Sequence, residues 1–368
     1  MGFVALPPAV VMEILNRRLL VVTGKGGVGK TTVASALAWQ AAAIGKKVLL
    51  CELDAKGDLL ASLQGVSGRA SAPLSFAPRE VHPGLHAMVM DPEESLKEYL
   101  RIYLRLPLVT RIGLLSNAFD FLANAAPGVR EIVTIGKFAH EVRERHYDLV
   151  VVDATASGHI VGLLRAPQAI NELVQAGLLR SQTAWILDIL GDRALTGVVA
   201  VATPEELPVS ETAELFVNIA SQTNLSVQAI VVNRVLPVPF TQAESGAFAA
   251  LRARSSRGSS RSGLGSSGSG GSGLGSSGSG SSGSSDSRSS GAAVAALGGV
   301  DEREADMLIR GVGLAEDLRT ESLKHLAALR TIGSNARVPV ALVAQLFGVS
   351  PGLPATMAVA EMLAEELP

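Results

Sequence analysis

An apolar run, RLLVVTG at 18–24, passes directly into KGGVGKTT and then into the helical pattern VASALAWQAAAIG. The join reads G-x-x-x-x-G-K-T from Gly24 to Thr31, and few folds accommodate a strand that turns so tightly into a helix. Glycine is needed there because a Cβ would hold the backbone off a ligand and forbid positive φ angles. Bare N–H groups can instead wrap the oxygens of a phosphate chain. Lys30 then neutralises charge toward the terminal phosphate, and Thr31 offers its hydroxyl to Mg²⁺. The candidate ligand-binding set is Gly24, Lys25, Gly26, Gly27, Val28, Gly29, Lys30, Thr31 and Thr32. Lys25, the loop's other lysine, has no role in that account.

Further short apolar runs follow: KKVLLCEL at 46–53, LHAMVM at 85–90, YDLVVVD at 147–153, TGVVAVAT at 196–203, VQAIVVN at 227–233 and PVALVAQL at 339–346. Helical patterns separate them. The alternation implies an α/β fold of the P-loop NTPase kind, with a mostly parallel sheet flanked by helices. Leu149 to Val152 lead to Asp153, which this reading puts at the carboxyl end of a strand, where parallel sheets bind ligands. Asp153 is the expected second anchor for Mg²⁺.

Two stretches interrupt the alternation. Residues near 92–146 and 164–195 carry apolar residues at helical spacing and read as an inserted helical subdomain, its faces serving either as ordinary core or as a groove for an apolar client. Residues 255–291 are almost wholly Gly and Ser and repeat the octamer GLGSSGSG. Such a segment buries too little apolar surface to offset its chain entropy, so it is expected to be a flexible loop or linker.

Composition removes several functions. The 368 residues are 47% hydrophobic and 18% charged, enough for a large core, and 32 Lys and Arg against 34 Asp and Glu leave no basic pull toward nucleic acid. No apolar run reaches the roughly 18–20 residues of a membrane span. The N-terminal MGFVALPPAVVMEILNRR lacks the basic region that opens a secretory signal, so a cytoplasmic protein without direct membrane insertion is expected. The one cysteine, Cys51, sits in an apolar run and reads as inert core.

The run D-A-T-A-S-G-H-I-V-G-L-L-R-A-P from Asp153 to Pro167 resembles the switch II segment of the arsenite-pump and tail-anchored-protein-targeting ATPases. TGKGGVGKTT is similar to that family's deviant Walker A motif, whose extra lysine corresponds to Lys25. APGVRE at 126–131, ATPEELPVSETAEL at 202–215 and VVNRV at 231–235 resemble three more of its stretches, the last placing Asn233 at an adenine-contacting position. The resemblance runs from about Arg18 to Leu236 plus the last strand. It leaves the Gly/Ser segment uncovered; with that composition break the chain reads as an ATPase domain over 1–254, the Gly/Ser segment over 255–291, and a helical part with a last strand over 292–368 that packs back on the domain.

The same resemblance implies ATP and Mg²⁺ as cofactors and a dimer, either of identical chains or with a paralogue, that closes face to face around two ATP molecules. Lys25 would then reach the partner's nucleotide, as an arginine finger does elsewhere. Asp54, in LDAKGDLL, would orient the attacking water, although the family's Pro and His at that switch are Ala55 and Gly57 here. His159 would relay the state of switch II.

A single cysteine does not match metalloid stimulation or a zinc site, and the absence of Met between Met90 and Met307 does not match a Met-rich client groove. The expected protein is thus an ATPase switch acting on an unidentified client or membrane partner. The alternatives are a ParA/MinD-like spatial regulator and a weakly hydrolysing nucleotide-dependent scaffold. The acidic end AVAEMLAEELP argues against the MinD-like reading, which needs a basic amphipathic helix.

Overall fold

The computed structural model describes residues 13–54, 57–64, 72–104, 129–173, 178–238, 246 and 302–366. Its strands are β1 (Leu19–Gly24), β2 (Val48–Glu52), β3 (Arg79–His82), β4 (Leu85–Val89), β5 (Leu149–Ala156), β6 (Thr196–Ala202), β7 (Val227–Val235) and β8 (Val340–Ala344). They form one sheet in the order β3-β4-β2-β5-β1-β6-β7-β8. Every neighbouring pair is parallel except β3 and β4. This is the expected α/β arrangement, with β1 central and chain order reversing on either side of it. Parallel sheets bind ligands at such a reversal, beyond the carboxyl ends of their strands.

Helices α1 (Lys30–Ala43), α2 (Asp58–Leu63), α3 (Pro92–Leu104), α4 (Val129–Arg143) and α5 (Ser157–Leu173) precede β6. Helices α6 (Leu178–Gly191), α7 (Glu206–Gln222), α8 (Glu302–Ala336) and α9 (Leu353–Glu366) complete the described set. Alternation along each strand divides the core in two. Leu20, Val22, Leu50, Val151 and Val201 meet Val33 and Leu37 of α1 and Val359 and Leu363 of α9. Leu19, Val21, Cys51, Val150 and Val152 face the other way, onto Ile135 and Phe138 of α4, Ile160 and Leu164 of α5, and Ile186 and Leu190 of α6. Sheet strands buried on both faces read as continuous apolar runs, which explains LLVV and LVVV. Residues 105–128, within the first helical stretch read from sequence, lie outside the described residues, as does the Gly/Ser segment at 255–291.

Two elements differ from the sequence reading. β3 is an additional strand, antiparallel to β4 across Pro83-Gly84; its REVH has one strongly apolar residue and occupies the sheet edge, so it carries no run to detect. β5 does not stop at Asp153 but continues to Ala156, because Gly24 pairs with Ala156 and the Thr23 hydroxyl donates to Thr155 O at 3.1 Å. Asp153 therefore sits inside a strand and is buried.

The described chain divides into two compact units, residues 1–235 with 324–368, and residues 236–323. In the second, Arg319 of α8 donates through Nε to Pro237 O at 3.2 Å, and Met307, Leu314 and Leu318 are exposed. No helix among the described residues is long and apolar enough to cross a membrane.

Candidate nucleotide site

The turn from β1 into α1 is held by close packing that excludes side chains at two glycines. A Cβ on Gly24 would stand against the carbonyl oxygen of Val201 on β6. Gly29, at φ 92°, starts α1 in the left-handed region, and a Cβ there would run into the Asn233 amide. That amide donates to Val28 O at 2.8 Å, while Asn233 Oδ1 accepts from the Arg234 amide at 2.9 Å. Asn233 is thus a clamp between β7 and the loop, and it is not among the residues lining the cavity.

A cavity of about 1550 Å³ opens at the carboxyl ends of the strands. Its wall includes Gly26, Gly27, Gly29, Lys30, Thr31 and Thr32 of the loop, Asp54 after β2, and Asp153 of β5. Gly24, Lys25 and Val28 frame the same loop without lining the cavity, and Val28 is buried. The structure therefore brings together Lys30, Thr31, Thr32, Asp54 and Asp153, residues that are far apart in the chain. His159, on the first turn of α5, is exposed on the same wall.

The electrostatics here are unbalanced. Thr31 Oγ1 donates to Asp153 Oδ2 at 2.6 Å, yet Asp153 Oδ1 is buried with no hydrogen-bond partner. Burial pushes the Asp153 carboxyl up to about 6, opposed by the Thr31 hydroxyl and the Lys30 charge and reinforced by Glu52 and Asp58. Glu52, next to Asp153 in the sheet register, is also buried. A buried carboxylate oxygen without a donor, beside a threonine hydroxyl and in the field of Glu52 and Asp58, is an environment a hard divalent cation satisfies. Thr31 and Asp153 therefore fit Mg²⁺, and the glycine-rich backbone around Lys30 fits a phosphate chain. Lys30 Nζ donates to Lys25 O at 3.2 Å, which keeps its ammonium within the loop.

Lys25 is engaged elsewhere. Its Nζ lies 2.6 Å from Glu211 Oε1 on α7, and the Ser157 hydroxyl donates to Glu211 Oε2 at 2.9 Å. Lys25 beside it holds the Glu211 carboxyl below the usual range, against partial burial and with help from Ser157. One carboxylate thus ties the loop's extra lysine to the start of α5. Sequence reasoning assigned no role to Glu52, Glu211 or Ser157. Glu52 left a signal, since an acid closing the apolar VLLCE mirrors Asp153 in LVVVD. Glu211 lay in a matched stretch, but only the fold shows what it touches.

Comparisons with known proteins give the family. The family model described as anion-transporting ATPase matches residues 17–184 and 179–257. The chain is 34% identical over 226 residues to ATPase BagA of Mycobacterium tuberculosis, covering 60% of this chain and 66% of that protein, just under two thirds of its length. It is 29% identical over 237 residues to the arsenical pump-driving ATPase of Escherichia coli, covering 58% of this chain and 39% of the relative. It is 25% identical over 270 residues to ATPase GET3 of Podospora anserina, covering 64% and 78%. With the family model spanning more than half of its residues and the loop, Asp54 and Asp153 on one cavity wall, this chain belongs to the anion-transporting ATPase family.

Proposed function

We propose that the protein hydrolyses MgATP as a dimeric switch that acts on a client or membrane partner. The observation that carries this is the partnerless Asp153 Oδ1 beside Thr31, at the mouth of a glycine-rich loop. Thr31 and Asp153 would hold Mg²⁺, whose charge offsets that of the terminal phosphates. Lys30 leaves Lys25 O for phosphate oxygen, a stronger, charge-assisted acceptor. Asp54 orients the attacking water, and Asn233 acts by holding the loop.

In this reading Lys25 serves the nucleotide of a second subunit, a copy of this chain or a paralogue. Its pairing with Glu211 is the resting arrangement, exchanged for the partner's phosphates on closure. Work done by the switch would reach its partner from the cytoplasm, with neither nucleic acid nor a metalloid or zinc site involved. Cys51 supports that exclusion: it is fully buried, and burial pushes its thiol well above the usual range, so it is a poor soft-metal ligand.

The test is a mixing experiment. Asp54→Asn and Lys25→Ala should each bind ATP yet turn over slowly, because neither change disturbs the phosphate cradle. A mixed dimer has one site with intact Asp54 and a partner's intact Lys25, so activity should reappear on mixing. Mixed dimers verified by native mass spectrometry that stay inactive would overturn the trans role. Wild-type turnover that Lys30→Ala leaves unchanged would overturn the ATPase reading itself.

A further inference from the structure

Helix α2 has six residues, too few to persist on its own hydrogen bonds. It nevertheless forms cavity wall through Asp58, Ala61 and Ser62, just after Asp54. What holds it must come from outside. At its start, the Asp58 amide donates to Glu52 Oε1 at 3.2 Å. At its end, the orphan carbonyls that any helix leaves are taken up by the beginning of α9. Leu353 N donates to Gln64 O at 2.9 Å, and the Thr356 hydroxyl donates to Ser62 O at 2.7 Å. Gly352, at φ +92°, allows the approach: a Cβ there would stand 2.6 Å from Gln64 O and 3.0 Å from Ala61 O.

Thr356 is unlike several helical threonines of this chain. Thr212, Thr320 and Thr331 each donate to the carbonyl four residues back in their own helix. Thr356 is fully buried, and its hydroxyl reaches instead to another helix, while its amide bonds to Gly352 O. A second tie runs through Ser62, whose hydroxyl donates to Leu59 O at 2.7 Å and lies 2.7 Å from Ser35 Oγ of α1. Thr356 and Gly352 also line the cavity, more than 300 residues after the phosphate loop in the chain.

We propose that Thr356, seated by Gly352, is a positioning residue for hydrolysis: α9 holds α2, and through it the Asp54 end of β2, against the nucleotide. The inference rests on the ATPase reading for its kinetic consequence but not for its structural one.

The experiment compares Thr356→Val, which keeps the shape and removes the donor, with Thr356→Ser, which keeps the donor. Hydrogen exchange on the full chain should show the Ala61 and Gln64 amides exchanging about tenfold faster in Thr356→Val, with α1 amides unchanged, because a buried carbonyl loses its partner. Turnover should fall about tenfold in kcat, with KM for MgATP unmoved, and Thr356→Ser should restore both measurements. Unchanged exchange at Ala61 and Gln64 overturns the proposal whatever the ATPase result, as does faster exchange spread equally over α1. Raised exchange with intact kcat overturns the positioning role. Exchange that rises only in α2 of a protein without MgATP turnover instead overturns the ATPase reading and leaves the hold of α9 on α2 supported.

Discussion

Two clusters of charged groups lie on this protein, each centred on a buried carboxyl, and the two carboxyls are shifted in opposite directions. Beside the phosphate loop, Asp153, Glu52 and Asp58 face Lys30, and burial pushes the Asp153 carboxyl up to about 6. Between α3 and α4, buried Lys137 lies 2.7 Å from Glu98 and 2.8 Å from Glu141, and His146 Nδ1 is 2.8 Å from the second Glu141 oxygen. Burial alone would raise Glu141, but the Lys137 and His146 hydrogen bonds overcome it and hold the carboxyl below its usual range. Lys137, stacked 5.1 Å over the Phe76 ring, stays charged for the same reason. The difference lies in where the positive charge comes from. In the α3–α4 cluster the chain supplies it, and both Glu141 oxygens are paired. At the loop the chain leaves Asp153 Oδ1 without a partner, which fits the proposed cation there.

The sharpest break of this contrast is Asp153→Asn. Removing the ligand proposed for Mg²⁺ should lower MgATP turnover about a thousandfold, a loss of several kcal/mol in the transition state. Without metal, in EDTA, the same change should stabilise the fold by about 1–3 kcal/mol at neutral pH, because it removes a buried charge whose carboxyl is raised in the folded state. The sign follows from that direction. The wild-type penalty is complete above about 6 and vanishes as pH falls toward the ordinary value of 3.8, so the variant's advantage should disappear over that window. Denaturant midpoints that do not move would show that the carboxylate is already satisfied.

Glu141→Gln should do the reverse. Leaving Lys137 with one carboxylate costs about 3 kcal/mol at neutral pH, read from urea unfolding, while turnover per folded molecule is unchanged. A lowered folded value means the wild type keeps this stability at neutral pH and loses it as pH falls below the ordinary 4.5. A large drop in turnover would make this cluster part of the site.

The smallest effect belongs to Glu211→Gln. The Lys25–Glu211 pair is about a third exposed on both sides, so solvent screening leaves it worth under about 1 kcal/mol to the fold. Its loss should register in the salt dependence of the proposed ATP-driven dimer closure rather than in the urea midpoint. A stability loss comparable to that of Glu141→Gln would place the pair with the structural cluster.

The parallel sheet was legible because strands buried on both faces must be apolar along their whole length, as in Val48 to Cys51 and Leu149 to Val152. The loop was legible because its chemistry needs glycines and Lys-Thr at set spacings within ten residues. β3 was not, since an edge strand of four residues can stay half polar. The bond from the Asn233 amide to Val28 O was not legible either. No local pattern marks that contact, because 205 residues separate its partners.

From residue order alone came the phosphate loop, the sheet it hangs from and Asp153, local features that a periodicity or a spacing records, while Asp54 came from the family resemblance. The folded chain alone decided which carboxylates stay unpartnered, that Glu211 occupies Lys25, and that Thr356 supports a helix almost 300 residues earlier. Charge balance, burial and helix-end capping depend on what meets in space, and nothing in the neighbouring sequence carries that information.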